Sequence, residues 1–338
     1  MSYQAMTKIV AFEVQPHEAD DLKSLEKENE LVLISEPLRR ENVEGFVDAE
    51  IICPFVYSQL DAGVLSKLPK LRLVATRSTG YDHIDVQYCR AQGIPICNVP
   101  TYGENTVAEH VFALLLAISH RLREAVDRAR NGDFSPAGLE GFDLAGKTLG
   151  VLGVGNIGRH VVRIARGFEM SVIAFDPVPS PELAEEMRFS YRPFDDVLSQ
   201  ADILTLHAPA TFETNNMLSD AEFSRMKKGV VLINTARGSL IDPRALIGAL
   251  RNGKVAAAGL DVMADEPMIR EEAELICSFY CGRRDLRNLV ADHVLLKMSN
   301  VIVTPHSAFN TREAVSRISK TTVKNIEAFL EGRPQNLV

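Results

Sequence analysis

Short apolar runs separated by longer amphipathic stretches set the rhythm of this chain. Residues 8–12, 31–34, 51–55, 71–75 and 96–99 are rich in Val, Ile and Leu and have the length of buried strands. Between them, 18–28 and 58–65 carry the spacing of amphipathic helices. This alternation predicts an α/β fold built on a mostly parallel sheet. A longer helical pattern covers 104–130, apolar first and then strongly charged, with Gly132 to end it and a loop expected over 131–146. The alternation then resumes, with strands expected at 149–154, 171–175, 203–207, 230–234, 256–261 and 301–304 and helices at 195–199, 220–226 and 243–251. A last helical pattern, 311–330, has no strand after it and is expected to pack back on the first domain. The pattern predicts two doubly wound domains, one from residues 1–100 and 306–338 and the other, 101–305, inserted into it. Two chain crossings, near Pro100 and Pro305, predict a hinge and a ligand cleft between the domains.

One segment of the pattern carries chemistry. Residues 147–176 read KTLGVLGVGNIGRHVVRIARGFEMSVIAFD: a strand, a glycine turn, a helix and a second strand that ends in a carboxylate. A G-x-G-x-x-G alone is a weak signal, but here its context is complete. Gly153 permits the tight turn, Gly155 lets the backbone approach a pyrophosphate, and Gly158 lets the helix pack closely on the strand. The helix that opens at Asn156 and Ile157 turns its first N–H groups toward the phosphates. Asp176 follows 18 residues beyond Gly158, placed to accept both adenosine ribose hydroxyls. Its charge repels a 2′-phosphate, and Pro177, Val178 and Pro179 bring no arginine to offset that, so the expected cofactor is NAD rather than NADP.

Composition narrows the partners. The chain has 338 residues, 46% hydrophobic and 24% charged, as in an ordinary soluble two-domain protein. A net charge of −8 argues against nucleic acid or an anionic membrane as partner, since both select basic faces. The longest apolar stretch, 111–118, is too short to span a bilayer and no secretory signal precedes the first strand, which points to a cytoplasmic protein. Cys53, Cys89, Cys97, Cys277 and Cys281 are odd in number and lack C-x-x-C spacing, so they are read as reduced thiols. Cys277, Cys281 and His293 fit no zinc pattern, and no metal is expected.

Several blocks together resemble the D-isomer-specific 2-hydroxyacid dehydrogenases over essentially the whole chain. They are TRSTGYDHID (76–85), NTVAEH (105–110), GVGNIG with Asp176, LHAPAT (206–211), INTARGSLID (233–242), GLDVMADEP (259–267) and TPHSA (304–308). The resemblance implies a flavodoxin-like substrate domain, a Rossmann NAD-binding domain and a catalytic set of Arg237, Glu266 and His306. The chemistry of reducing a 2-keto acid asks for those residue types. A planar cation, Arg237, grips the carboxylate with two prongs. An imidazole, His306, gives a proton to the carbonyl oxygen in reduction and takes it back in oxidation. Glu266, paired with His306, fixes its tautomer and favours the imidazolium. His83, His110, His120 and His207 sit in apolar or helical settings that suit structural roles. By resemblance the amides of Thr79 and Gly80 hold the substrate carboxylate, Asp261 meets the nicotinamide carboxamide, and Thr106, His207, Ala208, Thr235 and Ala236 line the cofactor. Tyr57 and Phe309 are candidates to wall a small side-chain pocket.

Glu266 disfavours a formate dehydrogenase, whose related site uses an amide, and the length leaves no room for the regulatory domain of long phosphoglycerate dehydrogenases. Glu266 and His306 lie 40 residues apart, a spacing lengthened by a segment at 268–288. That segment, read as a solvated surface insertion or else a subunit contact, resembles the D-lactate dehydrogenase branch, as do PHSAF and FVY. The expected reaction is pyruvate to D-lactate with NADH. Glyoxylate, hydroxypyruvate or branched 2-keto acids are the alternative substrates. NAD-sensing corepressors of the same fold form a second class, disfavoured by the lack of tryptophan and of long disordered tails. The resemblance also suggests a homodimer formed through the inserted domain, with the apolar helix at 107–118 involved.

Overall fold

The computed structural model describes residues 6–16, 18–264 and 286–338. They form two compact units, 1–103 with 310–338, and 104–309.

The first unit is built on five parallel strands, β1 (Thr7–Ala11), β2 (Asn29–Leu33), β3 (Ile51–Cys53), β4 (Leu73–Ala75) and β5 (Ile96–Cys97), in the order β2-β1-β3-β4-β5. Alternate residues divide between two apolar layers, as the period of a strand requires. Ile9, Ala11, Ile51, Leu73 and Cys97 face one layer, and Val10, Phe12, Ile52, Val74 and Ile96 the other. The first layer is completed by Val323 and Ile326 of helix Arg312–Leu330, so the final helix packs within this unit as expected. Residues 336–338 then run antiparallel along the edge strand β5. Asn98 N–H donates to the Asn336 carbonyl and Val338 N–H to that of Ile96, each at 3.0 Å. The helix expected over 58–65 starts only at Ala62, capped by Asp61. The residues before it are held elsewhere, Leu60 N–H by His83 and Ser58 by Glu13. The helix expected over 18–28 is one α-turn, Ala19–Leu22, followed by the tighter Lys23–Lys27.

The second unit holds seven parallel strands: β6 (Thr148–Leu152), β7 (Ser171–Phe175), β8 (Ser190–Tyr191), β9 (Ile203–Leu206), β10 (Val230–Asn234), β11 (Val255–Leu260) and β12 (Val301–Val303). Their order is β12-β11-β10-β9-β6-β7-β8. From β6 the chain builds outward through β7 and β8, then returns to place β9 on the other side of β6. The switch point therefore lies between β6 and β9, where α/β sheets open a crevice beyond their strand ends. β8 was not expected, and its two residues are too short to show a period. The helical pattern at 104–130 divides into Glu104–Ser119 and Leu122–Arg130, with Arg121 left-handed at φ 49°. The Ser119 carbonyl turns instead to Phe142 N–H at 3.0 Å, and Gly141 passes so near it that a Cβ there would lie 1.9 Å from the oxygen. Ala108, Val111, Phe112, Leu114 and Leu115 are buried in this unit's own core. Leu122, Val126 and Phe134 remain exposed.

The second unit extends to Phe309, past the expected boundary at 305, because residues 306–308 are tied to the end of β11. Glu266 and residues 268–285 of the inserted segment, with Cys277 and Cys281, lie outside the described residues.

Candidate active site

The glycine turn forms at the switch point. Gly153, at φ 95°, follows β6 in a conformation that disfavours any side chain, and a Cβ there would lie 2.9 Å from the His207 carbonyl at the end of β9. A Cβ on Gly158 would meet the Gly153 carbonyl oxygen at 2.2 Å, so the helix can approach its strand only with glycine there. Around Gly155, by contrast, nothing lies within 4 Å of the Cβ position. Helix Asn156–Gly167 starts there with no side-chain cap. Its exposed Asn156 and half-buried Ile157 thus open a helix whose first N–H groups point outward, unclaimed by a capping side chain. Asp176 braces this turn. One carboxylate oxygen accepts from Val154 N–H at 2.8 Å and the other from Val178 N–H at 2.9 Å, leaving further lone pairs on both.

The neighbouring strand ends carry most of the other residues expected to line a cofactor. His207 follows β9, its Nε2 3.0 Å from Thr205 Oγ1, and burial pushes its imidazole down to about 3, so it stays neutral at working pH. Ala208 lies beside Gly153. Thr235, at the end of β10, is 7% exposed, and its hydroxyl has no hydrogen-bond partner among the described residues. A buried hydroxyl left in this way asks for a ligand. Ala236 follows it, half-buried, its N–H on Asn234 Oδ1 at 3.0 Å. Thr106 is buried in the first turn of Glu104–Ser119. The open cradle at Gly155, the uncapped helix start, the Asp176 carboxylate and the unpartnered Thr235 hydroxyl suit a dinucleotide.

Arg237 sits in the turn after β10, half-buried, with Nη1 on the Ala236 carbonyl at 2.8 Å and its own carbonyl held by Asn234 Nδ2 at 2.9 Å. The next residue explains the tightness of this turn. A Cβ on Gly238 would lie 2.1 Å from the Met263 carbonyl group, so the Arg237 turn lies against the main chain at 263–264. The described chain stops there, two residues before Glu266.

His306 is half-buried in a loop after β12 at φ 51°, a left-handed backbone that non-glycine residues seldom adopt. Asp261 holds the loop in that shape. The His306 N–H donates to the Asp261 carbonyl at 2.9 Å, while Ser307 and Ala308 N–H donate to its two carboxylate oxygens, also at 2.9 Å. Thr304 Oγ1 donates to Asp261 Oδ1 at 2.5 Å, and His110 Nε2 lies 3.0 Å from that hydroxyl and 3.5 Å from the carboxylate. Burial alone would raise the Asp261 carboxyl. The hydrogen bonds from His110, Thr304, Ala308 and Ser307 outweigh it and hold the group below its usual range. Sequence reasoning assigned Asp261 to the cofactor and missed this loop-holding role. Phe309, half-buried, closes the same loop.

In the first unit, Thr79 and Gly80 follow β4. Thr79 Oγ1 donates to the Val99 carbonyl at 2.7 Å and Asn98 Nδ2 to the Thr79 carbonyl at 2.8 Å, while the amides of Thr79 and Gly80 meet no acceptor among the described residues. Tyr57 follows β3, half-buried, its ring edge-on to Phe55 at 6.4 Å.

Comparison with known proteins places this geometry in company. Residues 112–308 match the family model for the NAD binding domain of D-isomer specific 2-hydroxyacid dehydrogenases. The D-lactate dehydrogenase of Escherichia coli is 36% identical over 86% of each chain. A glyoxylate reductase of Thermococcus litoralis is 34% identical over 94% of this chain and 92% of its own. Among solved structures, D-lactate dehydrogenase from Aquifex aeolicus, complexed with NAD and lactic acid, is 35% identical over 96% of each chain with a TM-score of 0.83.

Proposed function

This chain belongs to the D-isomer-specific 2-hydroxyacid dehydrogenases, and we propose that within them it reduces pyruvate to D-lactate. It is an NAD-dependent oxidoreductase of the CH–OH group. The observation that carries the pyruvate reading is likeness along nearly the full length, at 31–35% identity, to solved D-lactate dehydrogenases. The long spacing from Glu266 to His306 supports it.

NADH, when bound, supplies the hydride to the carbonyl carbon. The residues proposed to hold it are those around Gly153, Gly155 and Gly158, with Asp176 on the ribose and Thr106, His207, Ala208, Thr235 and Ala236 along its length. Arg237 grips the substrate carboxylate with its planar fork, which orients the carbonyl and keeps its charge at any working pH. His306 delivers a proton to the carbonyl oxygen and recovers one from solvent, with Glu266 as its orienting partner. The fixed shape of the Asp261-held loop favours that role, because proton transfer needs the ring at hydrogen-bonding distance. Asp261 remains a candidate contact for the nicotinamide carboxamide through a remaining lone pair. Thr79 and Gly80 are kept as carboxylate-binding amides, and Tyr57 and Phe309 as walls around the substrate side chain. A homodimer is the assembly we propose, supported by the exposed Leu122, Val126 and Phe134.

Glyoxylate or hydroxypyruvate is the second reading, favoured by glyoxylate reductases and a glycerate dehydrogenase among the relatives at 34–36% identity. The test is NADH oxidation with pyruvate, glyoxylate, hydroxypyruvate and 2-ketoisocaproate at equal concentrations, with the chirality of each product determined. Fastest turnover of pyruvate, giving D-lactate, is expected. Preference for another acid replaces the substrate and leaves the family chemistry in place.

A further inference from the structure

In the first unit, three loops at the C-terminal ends of β1, β3 and β4 are tied together by buried charge. Glu13 follows β1, is 6% exposed and sits at φ 59°. Its carboxylate accepts from Phe55 N–H (3.2 Å), Tyr57 N–H (2.9 Å), Ser58 N–H (2.9 Å) and the Ser58 hydroxyl (2.5 Å). Ser58 Oγ in turn accepts Leu38 N–H at 2.9 Å, so its proton is directed at Glu13. Arg77, wholly buried after β4, adds the second tie. Its Nη2 donates to the Phe12 and Glu13 carbonyls at 2.6 and 2.9 Å, its Nη1 reaches Glu18 at 2.8 Å, and its backbone N–H donates to the Pro54 carbonyl. The guanidinium also lies 5.4 Å from the Phe55 ring centroid, and that ring supports Tyr57 edge-on.

Such an arrangement is costly as a way of holding a loop. A carboxylate and a guanidinium lose their hydration, and a non-glycine residue is kept left-handed, where apolar packing would give comparable stability. What charge provides and apolar packing does not is a fixed direction: four donors converging on one carboxylate allow the 55–58 turn a single conformation. That turn sets two half-buried aromatics, Phe55, whose ring lies against the Arg77 guanidinium, and Tyr57 beside it.

We propose that Glu13 is a positioning residue for substrate selection, holding the 55–58 turn so that Tyr57 limits the size of the 2-keto acid side chain. This deepens the reading given above and rests on it, since it takes Tyr57 as a pocket wall. Glu13→Gln keeps the size but turns an N–H₂ group toward amide donors, which loosens the turn. Glyoxylate, which carries hydrogen where the other 2-keto acids carry a side chain, is the internal control.

The experiment measures kcat and KM for glyoxylate, pyruvate, 2-ketobutyrate and 2-ketoisocaproate, and NADH affinity, in wild type, Glu13→Gln and Tyr57→Ala. Glu13→Gln is expected to lower the preference for pyruvate over 2-ketoisocaproate about tenfold, through a raised kcat/KM for 2-ketoisocaproate, with glyoxylate kinetics and NADH affinity within about twofold of wild type. An equal loss on all four acids, or an unchanged preference, overturns the proposal. Tyr57→Ala separates the two ideas: if it leaves the preference unchanged, the pocket reading itself fails, whereas if it shifts the preference and Glu13→Gln does not, only the positioning role fails. Should Glu13→Gln not fold, Ser58→Ala removes one of the four donors and is read in the same way.

Discussion

Two turns of the second unit lead from a strand into a helix at the same edge of the same sheet, and they treat the helix start in opposite ways. After β6 the chain passes through glycines into Asn156–Gly167 without a side-chain cap. After β10 it enters Pro243–Arg251, where Pro243 has no N–H and Asp242 accepts from Arg244 and Ala245 N–H at 2.9 and 3.3 Å. One turn keeps main-chain donors for a ligand, and the other uses its own internally and brings up a side chain, Arg237. The difference follows the chemistry proposed for each. A pyrophosphate is wide and can be wrapped by amides at a helix N-terminus. A small planar carboxylate is better matched by a two-pronged guanidinium.

The comparison can be broken first at Gly158. Gly158→Ala puts a methyl against the Gly153 carbonyl, and NADH affinity is expected to fall at least about 100-fold, with about 2–3 kcal/mol of stability lost. Fluorescence titration with NADH beside a denaturant melt checks this, and wild-type affinity would remove the helix start from the cofactor site. At the other turn, Arg237→Lys is expected to cost about 100-fold in kcat/KM for the keto acid while NADH binding stays unchanged. If the two variants trade phenotypes, the division between backbone and side-chain recognition is wrong. A smaller effect sharpens the first turn: Asp176→Ala is expected to raise the NADPH-to-NADH ratio of kcat/KM about tenfold, measured with both cofactors at subsaturating concentration. The smallest expected effect is at Asp242. Its replacement by Ala removes a cap worth about 1 kcal/mol, seen as a lower denaturation midpoint, with NADH affinity unaltered.

The glycine turn and the alternation of strands and helices were legible in the sequence because their signals are local: three glycines, an apolar period and a carboxylate at a fixed distance. The Asp261 loop was only half legible. TPHSA marks His306, but nothing in it says that amides at 307 and 308 bond to a carboxylate more than forty residues earlier. Glu13 was invisible for the same reason, since a glutamate after a strand reads as a solvated surface residue until its partners at 55–58 are brought in by the sheet. The break at 119–121 escaped because a left-handed arginine leaves no mark on an amphipathic pattern. Long-range polar contacts have no period, and those are the contacts that shape both loops proposed to face the substrate.

The return of residues 310–338 to the first unit has a consequence for synthesis. The second unit is continuous from 104 to 309 and can close its seven-stranded sheet as it leaves the ribosome. The first cannot. Its five strands are made early, yet the helix that supplies Val323 and Ile326 to its core, and the residues that line β5, arrive only after the whole second unit has been translated. Through that interval an apolar sheet face and an open strand edge are exposed in the nascent chain, and this half of the molecule has the greater need of a chaperone.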